Sequence, residues 1–407
     1  MRRQTPQWSQ LRPLLSFKGV DLNRRRARLA GAQDVGDLRR IARRRTPKAA
    51  FDYAEGAANG EHTMRRNREA FASLAFRPQV LRDVSRPDLS TTILGGRCAM
   101  PVGIAPAGFA RMMQSEGEIA GALAAGSFGV PFGLSTLGTT SIEDVAAAAP
   151  DTRRWFQLYL WREHRDVALG LLERAGRNGY DALIVTVDTP VGGLRLRDVR
   201  NGMTIPPQLT LKSVLDASYR PQWWVNFLTT EPLRFATLGQ SATTTSALIG
   251  QMFDPSATFE DLAWIRDAWP GKLVLKGIHG VDDALRARDA GVDAVYLSNH
   301  GGRQLDRAGV PVLALPKVRA AVGDDVELIV DSGIMSGGDV LAALALGADF
   351  AMVGRAYLYG LMAGGREGVA RMLQILQTEM RVTLQLLGVA SVRDLTPEHV
   401  QLNWREA

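Results

Sequence analysis

The sequence predicts an α/β protein built as a closed (β/α)8 TIM barrel, and three observations carry that prediction. Short β-type runs recur eight times past residue 100. Most are separated by 20 to 30 residues with helical spacing, as in EGEIAGALAAGSFG, DVALGLLERAGRNG and GGDVLAALALGA, which is the period of a βα unit. The runs are also near-continuously apolar, as in a parallel sheet covered on its outer face. A doubly wound sheet would place G-x-G-x-x-G after its first strand, and none is found there.

In chain order, residues 1–100 read as a helical, basic segment leading into the barrel, 101–390 as the barrel, and 391–407 as a C-terminal tail. Residues 1–50 hold twelve Arg and two Lys against three Asp, a charge of +11, whereas the whole chain carries +7. The basicity therefore belongs to an arm. Its clusters RRRAR (24–28) and RRIARRR (39–45) read most simply as the solvated face of a leading helix. A second reading is contact with an anionic membrane surface, and the scarcity of aromatics for base stacking argues against nucleic acid.

The barrel runs are PVGIAP (101–106), FGLST (132–136), WFQLYL (155–160), ALIVTVD (182–188), KLVLKG (272–277), AVYLSN (294–299), ELIVDS (327–332) and FAMVGR (350–355). A long insertion at about 190–270, after the fourth run, breaks the rhythm. It contains PPQLTLKSVLDASYRPQWWVNFL, and its Trp223 and Trp224 read either as a lid or docking surface or as a small core of its own.

Composition bounds the rest. With 46% apolar and 22% charged residues the chain is an ordinary globular one. Its apolar stretches fall short of the roughly 20 residues of a membrane span, and no apolar leader core follows the first arginines. The one cysteine, Cys98, beside an apolar run, is expected to be a buried thiol. A cytoplasmic address is expected, with peripheral attachment to the inner membrane face through the arm as the alternative. No metal site is expected.

In such a barrel the chemistry lies at the C-terminal strand ends. Polar residues fall there one run after another: Ser135, then Gln157 and Tyr159, Thr186 and Asp188, Lys276, His300, Asp331 and Arg355. One such residue is ordinary, whereas seven coincident strand ends point to a site. The glycine-rich stretches DSGIMSGGD (331–339) and VGRAYLYG (353–360) follow the last two runs, where barrels bind phosphate through backbone N–H groups and a helix N-terminus. A phosphorylated ligand is implied.

The segments SNHGGRQLD (298–306), FDYAEGA (51–57), IAPAGF (104–109), FQLY (156–159), TVDTP (186–190), VLKGI (274–278) and ALALGA (343–348) together resemble the FMN-dependent 2-hydroxy acid dehydrogenase and oxidase family. The resemblance runs from about residue 35 to 395, and TEPLRF (230–235) is most similar to its L-lactate dehydrogenase branch. It implies FMN as cofactor, a small 2-hydroxy acid as substrate and a homo-oligomer, a tetramer in this family. It also implies residue roles. His300 is the base and Asp188 orients it. Arg303 and Arg195 hold the substrate carboxylate, with Tyr53 and Tyr159 on its polar groups. Lys276 stabilises the reduced flavin edge, while Gln157, Thr186 and Ser135 contact the pyrimidine part of the ring. The backbone of Pro106, Ala107 and Gly108 lies against the ring face, and Ser298, Asp331, Gly333, Gly354 and Arg355 complete the cofactor set. His62, His164, His279 and His399 stand in no comparable cluster.

Two positions depart from the family pattern. Met335 stands where a phosphate-binding arginine is common, and Leu137 stands where several oxidases have tryptophan. Gly108, in PAG, resembles the dehydrogenase members, which makes a quinone the expected electron acceptor. The alternatives are an oxygen-using oxidase, a flavin-dependent isomerase or peptide-modifying oxidase on the same barrel, and a non-catalytic binder on a degenerate one. Whether His300 takes the C2 proton or the hydroxyl proton is open at this level.

Overall fold

A computed structural model describes residue 5 and residues 7–12, 22–161, 164–202, 218–238 and 253–403. After a one-turn helix at Trp8–Leu11, four further helices lead into the barrel: α1 (Arg24–Ala30), α2 (Val35–Arg45), α3 (Lys48–Glu55) and α4 (His62–Ala72). Asn23 caps α1 by accepting from the N–H groups of Arg25 and Arg26, and Asp34 caps α2 by accepting from Asp37. Arg43, Arg44 and Arg45 fill the last turn of α2, where cations complement the helix dipole.

All eight expected runs form strands: β1 (Val102–Ile104), β2 (Phe132–Ser135), β3 (Arg154–Tyr159), β4 (Ala182–Thr186), β5 (Lys272–Ile278), β6 (Ala294–Leu297), β7 (Glu327–Val330) and β8 (Phe350–Val353). They are parallel and in sequential order, and β8 pairs with β1 to close the barrel. A short helix, α5 (Ala110–Met113), follows β1, and α6 (Pro221–Thr229) lies in the insertion. Helix α7 (Gly337–Ala345) follows β7, and α8 (Arg355–Leu387) follows β8. The arm is not simply solvated: Val35, Leu38 and Ala42, spaced as one helical stripe, are buried as α2 packs on α8.

Alternation along the strands builds the interior. Trp155, Ile184, Val274, Tyr296 and Ile329 form an apolar layer inside the barrel. Two residues further along the same strands, on the same face, stand Gln157, Thr186, Lys276, Ser298 and Asp331. The floor is thus apolar and the C-terminal mouth polar. A hairpin of Thr91–Ile93 and Gly96–Cys98 plugs the opposite end, contributing Ile93, Leu94 and Cys98 to the interior cluster. Cys98 is buried there as expected, and burial raises its thiol pKa.

The strand between the arm and the barrel, Leu74–Phe76, pairs antiparallel with Val400–Leu402. Within the insertion, QLTLKSVLD lies outside the described residues. Trp223 and Trp224 fall in α6, none of whose residues is buried, so they do not form a core of their own. Trp223 instead stacks on Phe227 at 4.8 Å and donates Nε1–H to the Met112 carbonyl at 3.1 Å. Among the described residues no helix is long and apolar enough to cross a membrane.

Candidate active site

Strand register places the polar mouth residues side by side. Ser135 is opposite Gln157, Tyr159 opposite Thr186, and Thr186 opposite Lys276. Ser135 Oγ donates to Gln157 Oε1 at 3.0 Å, which fixes the amide so that Nε2 is directed elsewhere. Gln157 Nε2, Thr186 Oγ1 and Lys276 Nζ are buried with no hydrogen-bond partner among the described residues. Leaving such groups unpaired costs about 1–3 kcal/mol each, so a ligand that pairs them is strongly favoured. Amide, hydroxyl and ammonium together suit the carbonyl and ring-nitrogen edge of a flavin, and the donor set therefore fits FMN.

These groups face one cleft. It is lined by every residue the sequence reading selected except Asp188 and Ser298. Ser298 is buried outside this lining, with its Oγ accepting the His300 N–H at 3.0 Å.

That loop is unusual backbone. His300, Gly301 and Gly302 all have positive φ, at 55°, 64° and 78°. A Cβ on Gly301 would lie 2.5 Å from Arg355 Nη1, and one on Gly302 would lie 2.8 Å from the Met64 nitrogen. The two glycines are required by conformation and by space. The non-glycine in the left-handed region is the histidine itself, a strained position held by the hydrogen bonds around it.

His300 Nδ1 lies 3.1 Å from Asp188 Oδ1, and the Asp188 side chain is only 5% exposed. Burial pushes the Asp188 pKa up, but the charge of Lys276 and then that of His300 outweigh it and bring it to about 2. Ionised Asp188 accepts, so Nδ1 carries the hydrogen and Nε2 is the free base. Burial, then the Lys276 charge, lowers the His300 pKa against the opposing effect of Asp188. The imidazole is neutral at pH 7. His279, set aside in the sequence reading, also feels Asp188 and Lys276 and has a lowered pKa, chiefly from burial.

Two arginines flank one phenol. The Arg303 guanidinium carbon is 4.8 Å from the Tyr53 ring centroid, and that of Arg195 is 5.4 Å from it. Burial, with the Arg195 charge second, lowers the Arg303 pKa to about 10. Two cations held this close form an anion site, and planar forks suit a carboxylate. Burial raises the Tyr159 pKa, so this phenol stays protonated beside them.

Helix α3 holds the arginines in place. Arg303 Nη1 donates to the carbonyls of Tyr53 (2.5 Å) and Gly56 (3.2 Å). Arg355 donates to the carbonyls of Ala54, Glu55, Gly56 and Gly301 at 2.8 to 3.2 Å. The last carbonyls of a helix lack intrahelical partners, and here two barrel arginines satisfy them. FDYAEGA thus reads structurally as a helix end that orients both. Glu55 anchors it, pairing with Arg39 (2.7 Å) and with the Tyr359 hydroxyl.

The phosphate end differs from expectation at the start of α7. The N-terminus of α7 is already capped: Asp339 accepts from Met335 and Ser336 N–H at 2.8 and 2.9 Å, and Glu379 accepts from Gly337 N–H at 2.7 Å. Those carboxylates occupy the donors an anion would use. The Arg355 guanidinium, in the cleft lining, is fixed by the carbonyls of Gly301 and Gly56, which carry no charge to offset its own. What remains are the N–H groups of Gly333, Gly354 and Arg355, which have no acceptor among the described residues.

Sequence reasoning missed two contributors, Gln304 and Phe253, and it named Asp331 without its partners. Gln304 clips the β4 loop to the histidine loop, donating to the carbonyls of Asp188 (3.2 Å) and Val191 (3.0 Å) and accepting from Gly193 N–H (3.1 Å). Asp331 has both oxygens occupied, by Tyr296 and Ser332 hydroxyls at 2.9 and 2.6 Å. Phe253 meets Tyr159 edge-on at 5.9 Å and, with Leu137, supplies apolar wall. Its position in a long insertion gave no periodic signal.

Comparison with known proteins gives the family. Residues 42–402 match the family model for FMN-dependent dehydrogenase. The chain is 53% identical over 400 residues to a putative L-lactate dehydrogenase of Mycobacterium tuberculosis, covering 98% of this chain and 96% of that one. It is 43% identical over 366 residues to an L-lactate dehydrogenase of Caulobacter vibrioides, covering 88% and 95%. The crystal structure of a monotopic membrane protein, (S)-mandelate dehydrogenase, superposes with a TM-score of 0.88 at 38% identity, covering 91% of this chain and all of that one. With a closed barrel, a histidine–aspartate pair and two arginines at one mouth, the chain belongs to the FMN-dependent dehydrogenase family, as an FMN-dependent 2-hydroxy acid dehydrogenase.

Proposed function

We propose that the chain oxidises L-lactate to pyruvate, with His300 as base and a membrane quinone as electron acceptor. The observation that carries the reading is the neutral His300, oriented by Asp188, facing the same cleft as Arg195 and Arg303. The two guanidinium groups hold the substrate carboxylate, with Arg303 as the planar fork. Tyr53 and Tyr159 donate to the carboxylate and hydroxyl. This places the C2 substituents beside His300.

Oxidation of a 2-hydroxy acid removes two electrons and two protons. FMN, when bound, accepts the electron pair. His300 Nε2 takes one proton, from C2 or from the hydroxyl, and in either case the product is an imidazolium facing Asp188. The carboxylate, already ionised, stabilises it without itself being protonated. Lys276, Gln157, Thr186 and Ser135 would hold the flavin's pyrimidine edge, the backbone of Pro106 to Gly108 would face its ring, and the N–H groups of Gly333, Gly354 and Arg355 would hold its phosphate. Lys276 also places a fixed cation where negative charge develops.

L-Lactate is supported by the names of the sequence relatives and by an apolar wall of Leu137 and Phe253 beside the arginines. A bulkier (S)-2-hydroxy acid is the second reading, favoured by the mandelate dehydrogenase superposition. A quinone acceptor is supported by Gly108 and by an exposed surface suited to an anionic membrane. Arg24, Arg43 and Arg44 are exposed, and α6, tied to α2 through Arg45 and Gln222, exposes Val225 and Leu228 by 59% and 70%. Each well-placed cation adds about 1 kcal/mol at such a surface.

The test compares L-lactate, (S)-mandelate and glycolate by kcat/KM, then follows reoxidation of the reduced enzyme by air and by a quinone analogue. A kcat/KM highest for L-lactate and faster reoxidation by quinone are expected. Preference for mandelate selects the second reading, and fast reoxidation by air makes the protein an oxidase. Arg43→Glu with Arg44→Glu should weaken binding to phosphatidylglycerol vesicles; unchanged binding removes the arm as the anchor.

A further inference from the structure

A second pocket, of about 840 Å³, opens where the arm, α5, α6 and α8 meet. It shares no lining residue with the active-site cleft. Helix α8 is broken here, at Gly364 and Gly365, and the gap is walled by the end of α2, the residues following α5 and one face of α6.

The walls carry three arginines, Arg25, Arg45 and Arg111, against one carboxylate, Glu116. That carboxylate is already engaged. It pairs with Arg25, accepts from Gln114 Nε2 at 3.1 Å and accepts the Arg366 N–H at 2.8 Å. Arg45 donates to the Gln222 side-chain oxygen, and Arg111 donates to the Glu231 carbonyl at 2.7 Å. Neither acceptor carries a charge, so neither guanidinium has an ion-pair partner among the described residues. Burial, followed by the charges of Arg28 and Arg25, lowers the Arg45 pKa, which places this cation among others of like sign.

The other side of the pocket is apolar. Trp223 and Phe227 stack with their planes 12° apart, and Met113 and Met362 lie beside them. Asn226, on the same face of α6, completes that wall. Unpaired cations around an open space repel one another at a cost that a bound anion removes, and forked guanidinium groups favour tetrahedral or planar oxyanions. An aromatic face beside them favours a ligand with an apolar or flat body.

We propose that this pocket is an anion site, separate from the flavin and substrate site, for a phosphate group carried on an apolar or aromatic body. The phosphate meets Arg45 and Arg111, and the body lies on Trp223 and Phe227. The headgroup of an anionic lipid and a soluble phosphate ester share this chemistry. The site stands on its own walls and does not depend on which 2-hydroxy acid the enzyme oxidises.

The test uses the flavin-loaded enzyme with phenyl phosphate as the soluble probe and benzyl alcohol as its uncharged counterpart. Binding is followed by calorimetry, with flavin absorbance showing that FMN stays in place. Saturable binding of phenyl phosphate, and none of benzyl alcohol, is expected. The double variant Arg45→Gln, Arg111→Gln should weaken it by about tenfold or more. Asn226→Asp, which adds a negative charge without removing packing, should also weaken it. Vesicles of phosphatidylglycerol in phosphatidylcholine form the lipid arm. If vesicles bind and both variants release them while phenyl phosphate does not bind, the anion is a lipid headgroup. Binding of either probe that survives in both variants, or no binding of either probe to the wild-type enzyme, overturns the proposal.

Discussion

His300 Nδ1 and Asp188 Oδ1 lie 3.1 Å apart although 112 residues separate them in the chain. The pair joins the loop after β6 to the end of β4, and Gln304 clips the same two segments a few residues on. The geometry of the barrel mouth is set by loop-to-loop contacts, and each contact has a measurable consequence.

The first consequence is the pH dependence. In the proposed mechanism His300 acts as the neutral base, and burial and Lys276 lower its pKa below 6.5. The kcat/KM should therefore be level from neutral pH down past 6.5 and fall only as the folded pKa is crossed in the acid range. Lys276→Met removes one cause of the lowering and should move that acid limb to higher pH. Asp188→Asn removes an opposing charge and should move it lower, while reducing kcat by about 10²–10⁴-fold. A wild-type limb above pH 7 would contradict this ordering.

Arg303→Lys keeps the charge but loses the planar fork, the paired carbonyls of Tyr53 and Gly56, and the stacking on Tyr53. A fall in kcat/KM of about 10–100-fold is expected, shared between KM and kcat. Steady-state kinetics would reveal a different cause if only kcat changed.

Gly193→Ala tests the clip between the loops. A Cβ there would lie 2.2 Å from the Arg303 carbonyl oxygen and 2.8 Å from Gln304 Cα, so the backbone must move. Turnover and Tm should fall together. At Gly170, in the helix Arg165–Arg177, a Cβ meets nothing within 4 Å. Gly170→Ala should leave turnover intact and stabilise by up to about 1 kcal/mol.

Glu55→Gln tests the anchor of α3. Burial raises the Glu55 pKa, but hydrogen bonds from Arg39 and Tyr359 outweigh it and the net shift is downward. A carboxylate with a depressed folded pKa contributes stability above its unfolded pKa of about 4.5 and loses it as pH falls through the folded value. The variant should cost about 1–3 kcal/mol at pH 7 and less at low pH. Urea denaturation at pH 7 and pH 4 measures both, and an equal cost at the two pH values would rule out the ion pair as the source.

The barrel was legible because its signal is periodic. Each expected run contains a strand, and the ends were overestimated where the polar residues belong to loops, as in PVGIAP, of which only Val102–Ile104 is strand. The mouth residues were legible because alternation carries an apolar floor into a polar rim on one strand face. Two kinds of feature were not legible. Backbone carbonyls at the end of α3 hold Arg303 and Arg355, yet a carbonyl has no letter in a sequence. DSGIMSGGD looks like an open phosphate loop, but Asp339 and the distant Glu379 cap its helix, and only the fold brings Glu379 there.

The most direct test of the central claim is anaerobic stopped-flow reduction of the flavin by L-lactate in the wild-type enzyme and in His300→Ala. The account predicts a yellow protein that bleaches on mixing, and a variant that keeps its FMN but bleaches about 10²–10⁴-fold more slowly. A wild-type flavin that L-lactate leaves oxidised, or a variant that bleaches at the wild-type rate, would contradict it.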